Sequence, residues 1–297
     1  MSEVCDFVKS DPSRLPSHSS QLVQLVVGDI RSYDICLRCC EGVDVIVHLA
    51  ANTGVAPSVE NPRADMEANV IGTFNMLEAA KYSKVGKFIF ASSGAPIGEV
   101  EPPITEDKPA RPVSPYGASK LAGEGYCSAY YRTFGIKTVA LRFGNVYGPR
   151  SKHKSSVVAK FFGRALKNEP LEIYGDGGQT RDFIYINDLL QAIMLSSKEA
   201  VSGEIFQIAT YKETTVNEIA DAIKSIVEGK TGKGVRVVHG DARLGDVRRN
   251  YSDISRAKRM LGYEPMFDLR SGLEDTFEYF KRIEGGLNGG RRKREIV

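Results

Sequence analysis

Seven consecutive residues, Ser114-Pro115-Tyr116-Gly117-Ala118-Ser119-Lys120, have the types and spacing that proton chemistry can use. Pro115 suits the first turn of a helix, and Ser114 just before it suits the cap. On such a helix Tyr116 and Lys120 lie on one face. An ammonium held beside a phenol favours the phenolate, so the tyrosine's proton becomes easier to move near neutral pH. The same Y-x-x-x-K spacing occurs on any amphipathic helix with a surface Tyr and Lys, so the rest of the chain has to decide between the two readings.

Composition narrows the classes. The chain has 297 residues, enough for one large or two unequal domains. Its 42% hydrophobic and 26% charged content is ordinary for a soluble globular protein. Basic and acidic residues number 40 and 37 and are interspersed, so neither nucleic acid nor membrane is expected as a partner. The longest apolar run, 43–51, is broken by Asp44 and His48 and is too short to span a bilayer. The N-terminus lacks the charged-then-apolar order of a signal peptide. Five cysteines (Cys5, Cys36, Cys39, Cys40, Cys127) with no export signature imply reduced thiols and a cytoplasmic location. No second Cys/His pair accompanies Cys36, Cys39 and Cys40 at ligand spacing. These three read as small apolar residues of a buried helix face, and no metal is expected.

The elements that would position Tyr116 alternate. Leu22–Val27 is a short β-rich run stopped by Gly28-Asp29, and 32–41 has helical spacing. Asp44–Leu49 is a near-continuous apolar run, expected as a strand buried on both faces of a parallel sheet. Asn61-Pro62 opens a long helical pattern through Met66, Val70, Phe74, Leu77 and Ala80. Lys87–Phe90 and Lys137–Phe143 are further strands, with a proline-rich loop and the Tyr116 helix, to about Phe134, between them. The alternation predicts a doubly wound α/β fold with right-handed crossovers, and ligands in such sheets sit at the carboxyl ends of the strands. Polar residues gather at those ends: Asp29, Ala50-Ala51-Asn52, Ser92-Ser93 and Asn145.

After Asn145 the pattern changes to helices at 155–166, 187–197, 217–227, 253–261 and 269–282, with short strands at 171–174, 181–186, 204–208 and 235–238. The expected boundaries are a Rossmann-like dinucleotide-binding domain over 1–150, rejoined by 182–210, and a smaller α+β substrate domain over 151–181 and 211–283. Residues 284–297, ending in a basic cluster, are expected as a disordered tail.

Together these segments resemble the extended short-chain dehydrogenases/reductases that act on nucleotide sugars, within the NAD-dependent epimerase/dehydratase family. The resemblance covers Val27 to about Phe280. It is carried by Gly28-Asp29-Ile30, Val47-His48-Leu49-Ala50-Ala51, Asn69-Val70-Ile71-Gly72-Thr73, Phe90-Ala91-Ser92-Ser93 and Tyr116-x-x-x-Lys120. It continues through Leu141-Arg142-Phe143-Gly144-Asn145-Val146-Tyr147-Gly148-Pro149, Arg181-Asp182-Phe183 and Arg243-x-Gly245-Asp246-Val247. The resemblance implies a catalytic trio of Ser93, Tyr116 and Lys120. It implies NAD held by Asp29 and Ile30 at the adenine, and by Leu49, Ala50, Ala51, Asn69, Tyr116, Lys120 and Phe143 nearer the nicotinamide. Lys120 would keep the pKa of Tyr116 low. Ser93, Asn145, Tyr174, Arg181, Arg243, Asp246 and Asn250 would hold a UDP-sugar. In this family the helices over 62–83 and 115–134 often form a homodimer interface. His48, inside a strand, reads as a satisfied core histidine.

The implied opening step is oxidation at a sugar C4, with Tyr116 taking the hydroxyl proton. The dehydratase subfamily follows its hydroxyl residue with an Asp-Glu pair, where this chain has Gly94 and Ala95, and the glutamate of the decarboxylases is not seen. Without a second acid/base pair the 4-keto sugar can only be reduced again, which points to 4-epimerisation of a UDP-hexose. Asn250, mid-sized where a bulky Tyr excludes an N-acetyl group, implies tolerance of UDP-N-acetylglucosamine beside UDP-glucose.

One family feature is missing from the 297 residues: the G-x-x-G-x-x-G turn that cradles the pyrophosphate. Aligned on Gly28-Asp29, the chain starts just after the family's second strand, so about thirty residues of the usual first βαβ unit are expected to be lacking. Such a chain is expected to be either incomplete or a short member that binds NAD weakly or not at all. The competing expectation is therefore a non-catalytic nucleotide-sugar or dinucleotide binder.

Overall fold

The computed structural model describes residues 24–154, 156–198, 201–242 and 247–288. Arg243 and Asp246 of the expected substrate set lie outside the described residues, as do Cys5 and 289–297. In chain order the elements are α1 (Tyr33–Cys40), β1 (Val45–His48), α2 (Val55–Glu60), α3 (Pro62–Met66), a π-helical turn (Glu67–Ile71), α4 (Gly72–Tyr82), β2 (Lys87–Ser93), α5 (Pro115–Phe134) and β3 (Lys137–Phe143). There follow β4 (Asn145–Tyr147), α6 (Val157–Leu166), β5 (Leu171–Tyr174), β6 (Thr180–Arg181), β7 (Phe183–Tyr185), α7 (Ile186–Ser196), β8 (Glu204–Ile208), β9 (Thr214–Thr215), α8 (Val216–Thr231), β10 (Val237–Gly240), α9 (Ser255–Leu261) and α10 (Leu269–Asn288). No helix of the described residues is long and apolar enough to cross a membrane.

The chain forms two compact units. Among the described residues, the first comprises 24–98, 109–141 and 196–205, and the second 99–108, 142–195 and 206–288. The return to the first unit is confined to 196–205, shorter than the 182–210 expected. The reason is local: β7 pairs in parallel with β4, Asn145 opposite Phe183, which keeps 182–195 with the second unit.

The first unit is the expected α/β layer. Its sheet has the order β1-β2-β3-β8, with β1 and β2 parallel from Val45 opposite Lys87 to His48 opposite Phe90. Six consecutive residues of β2, Lys87–Ser92, are buried, as an apolar run in a central strand must be. β1 differs from expectation: Ile46 and His48 are buried while Val45 and Val47 are exposed. It is an edge strand, and only one of its faces packs on the core. Over its described residues, Leu22–Val27 forms no strand, because the following strand, β1, pairs with β2 alone. Cys36 and Cys40 on α1 join Leu77, Phe88, Phe90 and Tyr130 in the core, whereas Cys39 is exposed.

α5 starts as its sequence requires. Ser114 Oγ accepts from Gly117 N at 3.1 Å, Pro115 fills the first turn, and Gly135, with φ of 73°, ends the helix in the left-handed region. The second unit gathers α6, α8 and α10 around Phe162, Leu171, Ile223, Leu273 and Phe277. α10 continues to Asn288, so the start of the tail expected as disordered is helical. Propagating an existing helix by a turn is cheap compared with nucleating one.

Candidate active site

Tyr116 is fixed at its backbone. Its N–H donates to Ser58 Oγ at 3.1 Å, and that hydroxyl donates to Val55 O at 2.7 Å, tying α5 to α2. Its phenol lies near enough to the Ser93 side chain, at the carboxyl end of β2, for that hydroxyl to pull its pKa down. The structure therefore brings Ser93 and Tyr116 together. Lys120, 4% exposed, donates from Nζ to Ala91 O at 2.8 Å and lies 5.0 Å from the Phe90 ring centroid and 6.0 Å from that of Tyr116.

The electrostatics differ from the expectation that Lys120 lowers the phenol's pKa. Burial pushes Tyr116 upward, Ser93's hydrogen bond pulls it down, and the Asp65 carboxylate pushes it up again. The ammonium is engaged with the Ala91 carbonyl. Burial also lowers Lys120 to about 8, against the opposing pull of Asp65 and Glu124. His48 is held neutral by burial, its pKa lowered to about 4, and its Nε2 lies 3.0 Å from Thr73 Oγ1.

Around this pair runs a polar network. Asn69, in the π-helical turn, donates from Nδ2 to Asp65 Oδ1 at 3.0 Å, Asn52 O at 3.0 Å and Ser119 Oγ at 3.1 Å, and accepts from Asn52 N at 2.7 Å. Ser119 Oγ in turn donates to Tyr116 O at 3.0 Å. Asn69 is only 2% exposed, so its amide is committed to the protein instead of lining an open cofactor surface. On the other side of Lys120, Ser92 Oγ donates to Glu124 Oε1 at 2.5 Å. The sequence reading missed Asp65 and Glu124. The available signal was spacing: each lies four residues from a motif residue, Asn69 and Lys120.

Leu49 and Ala50 are exposed and Ala51 is half-buried at the carboxyl end of β1. Asp29, with Arg31, Ser32, Glu67 and Ile71, lines a shallow, open cavity of about 500 Å³ at the surface. Its carboxylate accepts from Arg31 N at 2.9 Å, Nε at 3.0 and 3.1 Å and NH2 at 2.6 Å, which holds it below the usual carboxylate range. Ile30 is half-buried beside it, its carbonyl accepting from Cys36 Sγ and Asn75 Nδ2.

The second unit holds the other expected residues. Asn145 N donates to Asp182 O at 2.8 Å, Arg181 NH1 donates to Thr180 O and Val247 O at 2.7 Å each, and Asn250 N reaches Thr180 Oγ1 at 3.4 Å. Asn145, Arg181 and Asn250 thus converge on Thr180–Asp182. Asp182 is 1% exposed and accepts from Thr210 N and Oγ1, Tyr211 N and Ser252 N. Tyr174 is half-buried at the end of β5, its carbonyl accepting from Gln179 Nε2 at 3.0 Å, and Phe143 is half-buried at the end of β3.

The model of the NAD dependent epimerase/dehydratase family matches residues 5–209. The chain belongs to that family. The recognition drawn from the sequence motifs is thereby confirmed, and so is the Rossmann-like α/β class. Among curated relatives, a putative UDP-glucose 4-epimerase of Methanocaldococcus jannaschii is 40% identical over 263 residues, covering 87% of this chain and 84% of its own length. A UDP-glucose 4-epimerase of Thermotoga maritima, solved with UDP-glucose, has a TM-score of 0.80 at 36% identity and covers 86% of this chain and 84% of its own. That of Thermus thermophilus, solved with NAD, has a TM-score of 0.78 at 35% identity and covers 86% and 83%. Other epimerase/dehydratase relatives of known structure are a UDP-N-acetylglucosamine and a UDP-glucuronic acid 4-epimerase. NAD is the cofactor of this family. Two features of the first unit fit it: the cavity at Asp29, and the Ser93–Tyr116–Lys120 cluster beyond β2.

Proposed function

We propose that the chain is a UDP-hexose 4-epimerase, interconverting UDP-glucose and UDP-galactose and admitting their N-acetyl forms. The observation that carries this is the grouping of Ser93, Tyr116 and a buried Lys120, whose ammonium lies 6.0 Å from the Tyr116 ring, with Gly94 and Ala95 where a dehydration acid and base would stand. Ser93 orients the sugar's C4 oxygen and Tyr116 takes its proton, later returning it to that oxygen once the 4-keto sugar has rotated. NAD, when bound, supplies reversible hydride acceptance at C4. Lys120 and Tyr116 would hold it at the ribose and nicotinamide, and the cavity beside Asp29 at the adenine. Arg181 and Arg243 would face the diphosphate, where guanidiniums match phosphate oxygens. Asn145 and Asp246 would add hydrogen bonds, and Tyr174 would stack on the uracil.

The 62–83 and 115–134 helices would form the homodimer interface. Met66, Tyr82, Tyr126 and Phe134 on these segments are all exposed, which supports that reading.

The test is a product assay with UDP-galactose and NAD. UDP-glucose should accumulate to equilibrium without net NADH, and Tyr116→Phe should lose about 10²–10⁴ of kcat. Net NADH release or loss of water would overturn the assignment. A second reading, a nucleotide-sugar or dinucleotide binder without turnover, is supported by Arg31's occupation of Asp29. The product assay separates the two, since the second reading gives no conversion of UDP-galactose whether or not NAD binds.

A further inference from the structure

The turn that carries Asp29 is held more firmly than an exposed loop requires. Ser32 N donates to Asp29 O at 3.0 Å, and Asn75 Nδ2, from α4, donates to both Ile30 O and Arg31 O at 3.0 Å. Cys36 Sγ donates to Ile30 O, and Gly72 makes the room that Ile30 fills: a Cβ there would lie 2.5 Å from Ile30 Cδ1. The Arg31 side chain is fixed as well. Its Nε and NH2 form a fork on the Asp29 carboxylate, and its NH1 lies 3.9 Å from Glu67 Oε2. Glu67 is itself held, with Arg63 Nε 2.9 Å from its Oε1.

This arrangement decides what the cavity can offer a ligand. A carboxylate has about four lone-pair sites. On Asp29, Oδ1 accepts from Arg31 N and Nε, and Oδ2 accepts from Arg31 Nε and NH2, so no acceptor position is left for an incoming amino group. On Arg31 the edge carrying Nε and NH2 is spent on Asp29, and NH1 is paired with Glu67. What remains is the flat face of the guanidinium, in a cavity that also presents Ile71, 42% exposed. Guanidinium planes stack on aromatic rings, and a plane already fixed loses little freedom in doing so.

We propose that Arg31 recognises the purine of the cofactor by stacking, with Asp29 as the clamp that holds the guanidinium plane and not as an acceptor for the adenine amino group. The inference rests on the NAD-dependent reading above and deepens it: the cavity takes a purine nucleotide and is indifferent to the substituent on the base's C6. A shallow, open cavity suits such a mode, because stacking needs one wall and tolerates different bases.

The test is calorimetry on the wild type with NAD and with the dinucleotide in which unsubstituted purine replaces adenine, which lacks only the 6-amino group. The two should bind within about threefold of each other, since both keep the face that stacks. Arg31→Ala should weaken both by about three- to thirtyfold, and Arg31→Lys, which keeps the charge and loses the plane, should weaken both as well. Asp29→Asn, by loosening the clamp, should weaken the two alike. Purine dinucleotide binding about tenfold or more weaker than NAD would overturn the proposal, because a site built to bond an amino group rejects the analogue without it. Loss of NAD affinity alone in Asp29→Asn would overturn it too, as would Arg31→Ala with both affinities unmoved. No heat with either dinucleotide would overturn the NAD-dependent reading together with this one, so the two failures are told apart.

Discussion

Gly123 and the Phe90 ring are in such close contact that no side chain fits between α5 and β2: a Cβ on Gly123 would lie 2.3 Å from Phe90 Cζ. The same ring stands 5.0 Å from the Lys120 ammonium. One aromatic side chain therefore sets both the approach of α5 and the floor under Lys120.

Gly123→Ala should for this reason cost stability and activity together. Overpacking of this kind typically destabilises by about 1–3 kcal/mol, which a urea midpoint will show. Moving α5 also takes Lys120 from the Ala91 carbonyl, so kcat should fall. Gly125→Ala is the control: its Cβ would meet nothing within 4 Å, and Ala is the better helix former.

Asn250 offers the substrate test. It is half-buried, its backbone bonded to Thr180 beside Arg181. Asn250→Tyr should lower kcat/KM for UDP-N-acetylglucosamine by about ten- to a hundredfold relative to UDP-glucose, the range expected when a pocket loses the room for a small group. Equal losses on both substrates would place Asn250 away from the sugar's C2.

His48 should make the fold acid-sensitive. Its pKa falls from 6.5 to about 4 on burial, so the unfolded chain binds the extra proton first as pH drops. The stabilisation is complete above pH 6.5 and is lost as pH falls towards 4. The loss is on the order of 3 kcal/mol. His48→Gln, which can still bond Thr73, should flatten the dependence of the unfolding free energy over that window.

Thr215 should matter only to the second unit. It accepts from Glu218 N at 3.1 Å while Glu218 Oε2 accepts from Thr215 N at 2.7 Å, a reciprocal cap at the start of α8. Thr215→Ala should cost about 1 kcal/mol in denaturant unfolding.

The sequence carried much of this molecule because its strongest signals are local. The apolar runs at 87–90 and 137–143 became β2 and β3, and Ser114-Pro115 marked the start of α5 to the residue. What it did not carry depends on neighbours distant in the chain. Val45 and Val47 read as core and turned out exposed, because their strand lies at an edge. Leu22–Val27 has strand composition and no ladder to join among the described residues. Asp65 and Glu124 look like ordinary helix-surface acids until burial sets them beside Lys120. The downward shift expected for Tyr116 is reversed because burial of the phenol pushes its pKa up, which spacing cannot reveal.

The π-helical turn at Glu67–Ile71 acts as a phase shifter. It gives one continuous helical stretch two orientations, pointing Asn69 into the network with Asp65 and Ser119 and then turning Leu77 and Ala80 into the core. The turn holds one residue more than the ordinary ladder needs, so deleting a single residue inside it restores that ladder with α4 still in phase. A deletion in the regular helix that follows has no such slack and turns everything after it by about 100°. The first should displace Asn69 from its network and spare the packing of α4, while the second should break that packing.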